Sequence, residues 1–249
     1  MTRWRGCSLR VLHEVHPEEV LISRGQYRYL RGGQPTGQVE HWQITRLPNG
    51  QEVVRADVDG SQIPAGPHLL THLQRRPDGR PEWLRLQYMK GDLLAAAQYQ
   101  FEDAEVIVIR QEAGGHRRQD KVEIAANYVV DYHPVIAHDY VWRGYPATAG
   151  GKAWSIPVFS PDLWALGGDV LSGRALRFAV TPLAPETCEV PAGRFEAARC
   201  YKVILSDSVL AMAWYDSAGI PLRWHYPDKG YDFVLVEYTR GPQSIGSGG

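Results

Sequence analysis

The stretch Glu189-Val-Pro-Ala-Gly-Arg-Phe-Glu-Ala-Ala-Arg-Cys-Tyr-Lys-Val-Ile-Leu205, followed by Leu210-Ala-Met-Ala-Trp-Tyr-Asp-Ser-Ala-Gly-Ile-Pro-Leu-Arg-Trp-His-Tyr226 and the apolar run Tyr231 to Tyr238, decides the fold class. Gly or Pro stands wherever the chain must reverse, so the reading is strand and turn, repeated to the end of the last run. Upstream, Gln26 to Arg110 carries the same rhythm. Gln26 to Arg31 alternates and Gly32-Gly33 turns. Gln38 to Leu47 alternates with Val39, His41, Gln43 and Thr45 on one face. Asn49-Gly50 behind Pro48 is the strongest hairpin signal in the chain, and Glu52 to Val58 pairs back across it. Leu69 to Arg75, Trp83 to Met89, Leu94 to Phe101 and Glu105 to Arg110 continue the series, broken at Pro77-Asp-Gly-Arg80, Lys90-Gly-Asp92 and Glu102-Asp103. Turns at such regular spacing predict an antiparallel meander that curls toward a barrel or sandwich.

Composition agrees with an all-β chain. Its 249 residues are ordinary for one large β domain, and its 8 Trp and 13 Tyr suit pleated, half-buried surfaces. Lys plus Arg is 27 against 28 Asp plus Glu, so no global field steers the chain onto nucleic acid or an anionic membrane. No stretch approaches the roughly 18 apolar residues of a membrane-spanning helix. Met1 to Arg10 has no apolar run behind its charges, which reads as no signal peptide and a cytoplasmic protein. Three cysteines argue against a disulfide framework. One domain over residues 1–243 is expected, with 244–249 as a flexible tail.

Two segments depart from the rhythm. Asn127 to Arg143 places Tyr132, Val135, Ile136, Tyr140 and Trp142 nearer a period of 3.6 than of 2, which predicts one helix with Asp131 as N-cap and Pro134 in its first turn. Such a helix lines the concave side of a curved sheet. Trp154-Ser-Ile-Pro-Val-Phe-Ser-Pro-Asp-Leu-Trp164, behind Gly150-Gly151, reads as a loop over the mouth of a cavity or as a long connection packed on the core.

Four pieces in a set order resemble a bacterial family of β domains of unknown function. They are Gly25-Gln-Tyr-Arg-Tyr-Leu-Arg-Gly-Gly-Gln-Pro-Thr-Gly37, the helical segment before Gly150-Gly-Lys152, Val190-Pro-Ala-Gly-Arg-Phe-Glu-Ala197 and Trp214-Tyr-Asp-Ser-Ala-Gly-Ile-Pro-Leu-Arg223. Members look like the lipoprotein-carrier (LolA-like) half-barrel, and similar domains precede some α/β-hydrolases. The resemblance implies a long curled antiparallel sheet, an open half-barrel, wrapped around one α-helix. It carries no catalytic residue onto this chain.

The motifs that could carry chemistry are few. A Gly-x-Ser-x-Gly elbow is missing, as are the glycine fingerprints of nucleotide-binding loops, so an enzyme ranks last and no cofactor is expected. His68 and His72 are four apart but lack a third metal ligand nearby. His13-Glu-Val-His16 has the wrong gap for a zinc-protease helix. Asp131, His133, His138 and Asp139 form the most polar cluster, read either as a headgroup contact or as a cap with satisfied neighbours. Cys188 and Cys200 flank the Pro191-Ala-Gly turn and read as buried free thiols. The expected function is a binding module for an apolar or lipid-like ligand in the concave face, contacted by Trp142, Trp154, Phe159 and Trp164, with His138 as the polar contact. A structural or protein-interaction domain with a packed interior is the second reading, and a hydrolase-associated domain the third.

Overall fold

The computed structural model describes residues 10–12, 16–111, 115–163, 165 and 169–241. Alternating stretches become strands because one face of each can then be buried while every backbone group pairs sideways. In chain order these are β1 (Val20–Arg31), β2 (Gln34–Arg46), β3 (Glu52–Asp59), β4 (His68–Arg75), β5 (Pro81–Lys90), β6 (Leu93–Phe101), β7 (Glu105–Gln111) and β8 (Arg117–Glu123). After them come β9 (Val129–Val130), β10 (Trp154–Asp162), β11 (Ser172–Pro182), β12 (Glu186–Val190), β13 (Gly193–Leu205), β14 (Ser208–Tyr215), β15 (Pro221–Tyr226) and β16 (Tyr231–Arg240). The expected Asn49-Gly50 reversal joins β2 to β3: Gly50 takes a φ of 84°, and the Asn49 side chain accepts from the Gln51 N–H.

One sheet runs in the order β8-β7-β6-β5-β4-β3-β2-β1-β16-β15-β14-β13-β11-β10-β9, with β12 paired to β13 off that path. The first and last strands join its two meanders, Tyr29 standing opposite Phe233 and Gly25 opposite Tyr238. Registers carry single rows of apolar residues across many strands. Ile44, Val54, Leu73, Leu84, Tyr99 and Val108 are successive partners, and all are buried. Each such side chain contributes about 1.5–3 kcal/mol by leaving water. The sheet is curled but not closed by strand pairing. Side chains close it instead. Tyr99 on β6 donates its hydroxyl to Leu171 O at 2.6 Å, and the Phe159 ring of β10 packs edge-on against Tyr99 and Phe101 at 5.5 and 5.8 Å. Gly173 on β11 lies flat against Phe159, whose Cε2 would stand 2.5 Å from any added Cβ.

The segment Asn127–Arg143 is not one helix. Val129 and Val130 pair in parallel with Val158 and Phe159, a 3-10 turn covers Val135–Asp139, and the α-helix α1 is only Tyr140–Gly144. Pro134 explains the break, because its ring pushes the preceding residue out of the helical region. Asp131 does not cap. Its N–H donates to Phe159 O, and the turn starts at an extended Pro134 with no local side-chain cap. The cap comes from β2. The Glu40 carboxylate accepts from Val135 N at 2.6 Å, Ile136 N at 3.0 Å and the Tyr29 hydroxyl at 2.7 Å. A fully buried glutamate thus satisfies the free N–H groups that begin the turn.

Trp154–Asp162 is likewise a strand, not a covering loop. It pairs along its length with β11, whereas β9 meets it only at Val158 and Phe159. Prolines 157 and 161 are tolerated because that side is almost an edge. The outer face of β3 is buried too. Arg10 forks onto Asp57 at 2.8 and 2.6 Å, and Glu19 receives both terminal nitrogens of Arg55 at 2.6 and 2.7 Å.

Candidate functional site

Among the described residues the concave face is filled by side chains. Tyr27, Tyr29, Trp42, Tyr99, Phe159 and Trp224 are all at most 2% exposed and lie in one continuous core. The glycine at position 25 allows this on one side, because the Trp42 ring occupies the place of its Cβ, 2.6 Å from Cζ2. Clefts open at one mouth of the barrel, where α1 emerges. There the end of β2, the start of β3, the end of β4 and the start of β10 surround the helix.

Two clefts share a wall made by Asp139, Trp142 and Arg143. The first, of about 730 Å³, is faced by Val20, Leu21, Leu47, Pro48 and Ile220, with Arg46, Arg143 and Arg240 against Glu18, Glu52 and Asp139. The second, of about 760 Å³, runs between the β4–β5 turn, residues 125–130 and the start of β10, and includes Tyr128, Tyr140 and Trp154. The shared wall is held by a chain of charges. Arg75 reaches Asp139 at 2.7 Å, Asp139 holds Arg143 at 2.7 Å, and Glu52 joins Arg143 to Arg46 at 3.1 Å each. Asp139 and Arg75 are buried, so their pairing is what makes burial of either tolerable.

Of the five residues expected to contact a ligand, two face a cleft. Trp142 is half-buried between the Arg199 guanidinium, 4.2 Å from its ring centre, and Gly219, whose φ of 82° and missing Cβ let the indole lie on the backbone. Trp154 is 43% exposed at the rim of the second cleft. Phe159 seals the seam and His138 is in the core, so neither lines either cleft. Trp164 lies outside the described residues. His138 rests on Trp224 with ring centres 4.3 Å apart, and its backbone oxygen accepts from Tyr215. Its Nε2 is 3.6 Å from Asp131, too far for a normal hydrogen bond. Burial pushes the imidazole down to about 3 and the Asp131 carboxyl up to about 7, so both favour their neutral forms. His133 is pushed down to about 4 by the same cause. His138 and Asp139 are buried, Asp131 and His133 are half-buried, and Asp131 caps no turn, which corrects its reading as the N-cap of a helix.

Sequence reasoning missed Glu40, Arg75 and Arg143. For Glu40 a signal existed, since it shares the alternation of Trp42 and Ile44, the core face of β2. Among the described residues, no group of three His, Cys, Asp or Glu side chains is placed to hold a metal ion. His68 instead lies 3.2 Å from Asp59, and His72 is buried against Trp83. His13 and Glu14 lie outside the described residues. Cys188 and Cys200 are buried and unpaired, and burial raises the Cys188 thiol to about 11, far from a reactive thiolate. No described helix is long and apolar enough to cross a membrane.

No protein-family model matches the chain, and no curated protein does. Two solved structures are similar to it. One is a β-barrel-like protein of a domain of unknown function, DUF1849, from Brucella abortus, at 12% identity and TM-score 0.50, covering 90% of this chain and 99% of that one. The other is a DUF1089 family protein from Pseudomonas aeruginosa, at 14% identity and TM-score 0.48, covering 79% and 92%. Identities this low speak for architecture alone, and the Brucella protein shares this chain's β-barrel-like fold over nearly its whole length.

Proposed function

We propose that this protein is a non-enzymatic binding module that takes a small apolar or lipid-like molecule at the helix-bearing mouth of its barrel. One observation carries the reading: the interior is filled with aromatic side chains, while two clefts of about 730 and 760 Å³ open on either side of Trp142. Clefts of that size are within the range of small-molecule sites. The exposed indole of Trp154 supplies a hydrophobic platform at the rim of the second cleft. The motifs that resemble LolA-like carriers accord with it, as do two unpaired thiols with a reducing compartment. The filled interior also favours a second reading, in which the same mouth meets a protein partner.

Uptake of the neutral fluorophore N-phenyl-1-naphthylamine tests the proposal. Fluorescence enhancement by the wild-type protein, reduced at least tenfold in affinity by Trp154→Ala, is the expected result. No enhancement at micromolar protein removes the small-molecule reading and leaves the partner reading in possession.

A further inference from the structure

The two clefts differ in charge, and the difference names a ligand class. In the first, three arginines face three carboxylates. In the second, Arg75, Arg80, Arg143 and Arg177 face only Asp78 and Asp139. The surplus is not spread evenly. Arg80 is spent on Asp78 and Asp103, and Arg143 on Asp139 and Glu52. Arg177 makes one hydrogen bond, 3.1 Å to the neutral Ser155 hydroxyl, and pairs with no carboxylate among the described residues. Arg75 is 4% exposed, gives Nη2 to Asp139, and keeps Nη1 buried with no acceptor. That nitrogen is closed to the cleft, so of the four lining arginines Arg177 alone offers an uncommitted guanidinium to a ligand.

Resting on the binding reading above, we infer that the second cleft takes an anionic amphiphile, its carboxylate or similar oxyanion held by Arg177 and its apolar part lying on Trp154. Guanidinium groups suit this because their planar fork matches a two-oxygen anion, and an adjoining indole adds apolar contact without a competing charge. The first cleft, neutral in sum and lined by aliphatic side chains, lacks that selectivity.

Calorimetric titration of the intact protein with laurate and with dodecanol, equal in chain length and different in charge, tests the inference. Laurate is expected to bind at least tenfold more tightly, with an affinity that falls between 50 and 500 mM NaCl while that of dodecanol holds. Arg177→Gln, at an exposed position, is expected to bring laurate down to the dodecanol value, and Arg177→Lys to restore part of the gap. Equal affinities for the two probes overturn the anion inference and leave a purely apolar cleft. Binding of neither overturns the inference and the small-molecule reading together. A laurate preference unchanged in Arg177→Gln and in Trp154→Ala overturns the assignment to this cleft.

Discussion

Substituting Glu40 by Gln keeps the volume of the side chain and removes its charge at the point where β2 holds the central turn. Burial raises this carboxyl from 4.5 to about 7, even though the N–H groups of Ile136 and Val135 and the Tyr29 hydroxyl favour the ionised form. Between those two values the unfolded chain has released the proton while the folded one keeps it. Stability contributed by Glu40 is therefore full below pH 4.5, falls as pH rises, and is lost above about 7. At 1.36 kcal/mol per unit the loss is roughly 3 kcal/mol. Glutamine carries no such dependence, but it has one acceptor oxygen where Glu40 uses two, so its amide nitrogen must face a backbone N–H. That unpaired contact costs about 1–3 kcal/mol at every pH. The variant should be clearly weaker than wild type at pH 4.5 and close to it at pH 8. Urea unfolding followed by tryptophan fluorescence at both pH values measures the gap. His133, His138 and Asp131 titrate in both proteins and cancel in the difference. A gap that stays constant from pH 4.5 to 8 would refute the reasoning, because Glu40 would then carry the same charge in both states of the chain.

Three further outcomes follow from packing and charge. Burial alone would raise the Glu19 carboxyl, but the Arg55 fork, the Thr45 hydroxyl and the His16 N–H outweigh it and hold it at about 2. Its contribution is present above pH 4.5 and drains away toward pH 2, so Glu19→Gln should cost about 3–5 kcal/mol at pH 7 by stranding Arg55, with the gap shrinking in acid. Urea midpoints at pH 7 and 3 that shift equally would contradict this. Gly25→Ala drives a methyl into the Glu237 carbonyl oxygen and the Trp42 ring and should cost about 1–3 kcal/mol, with a changed Trp42 emission spectrum; unchanged stability would mean that the ring is not seated there. Phe159→Ala empties the seam between β10 and β6 and should cost about 3–5 kcal/mol, with faster amide exchange in β10 and β11. Exchange unchanged at those strands would show that backbone pairing alone holds that edge.

What could be read from the sequence, and what could not, divides by distance along the chain. The strands between Leu69 and Arg110, the Asn49-Gly50 reversal and the run of hairpins between Glu189 and Tyr238 were legible because alternation and turn chemistry act over a few residues. The same local logic misread Asn127–Arg143 and Trp154–Asp162. A helical spacing of apolar residues appeared because the segment threads the core and is surrounded by it, and the prolines of β10 suggested a loop because nothing local shows that the strand is nearly an edge. Of the aromatics singled out in the sequence, Trp142 is half-buried at a cleft wall and Trp154 exposed at a rim, whereas Phe159 and His138, equally suggestive in sequence, went to the seam and the core.

By itself, then, the sequence determined the class: an antiparallel β chain, barrel or sandwich, without a nucleophile elbow, a nucleotide loop or a global charge. Only the tertiary structure decided that the concave side is filled, that Glu40 caps a turn 95 residues away, and that Arg75, Asp139, Arg143 and Glu52 meet to form a wall between two clefts. The physical reason is that hydrogen bonds and side-chain alternation set strands locally, whereas the curl of the sheet sets which distant side chains share the same low-dielectric space. Whether a buried charge is a cost or a fastening depends on that neighbourhood alone.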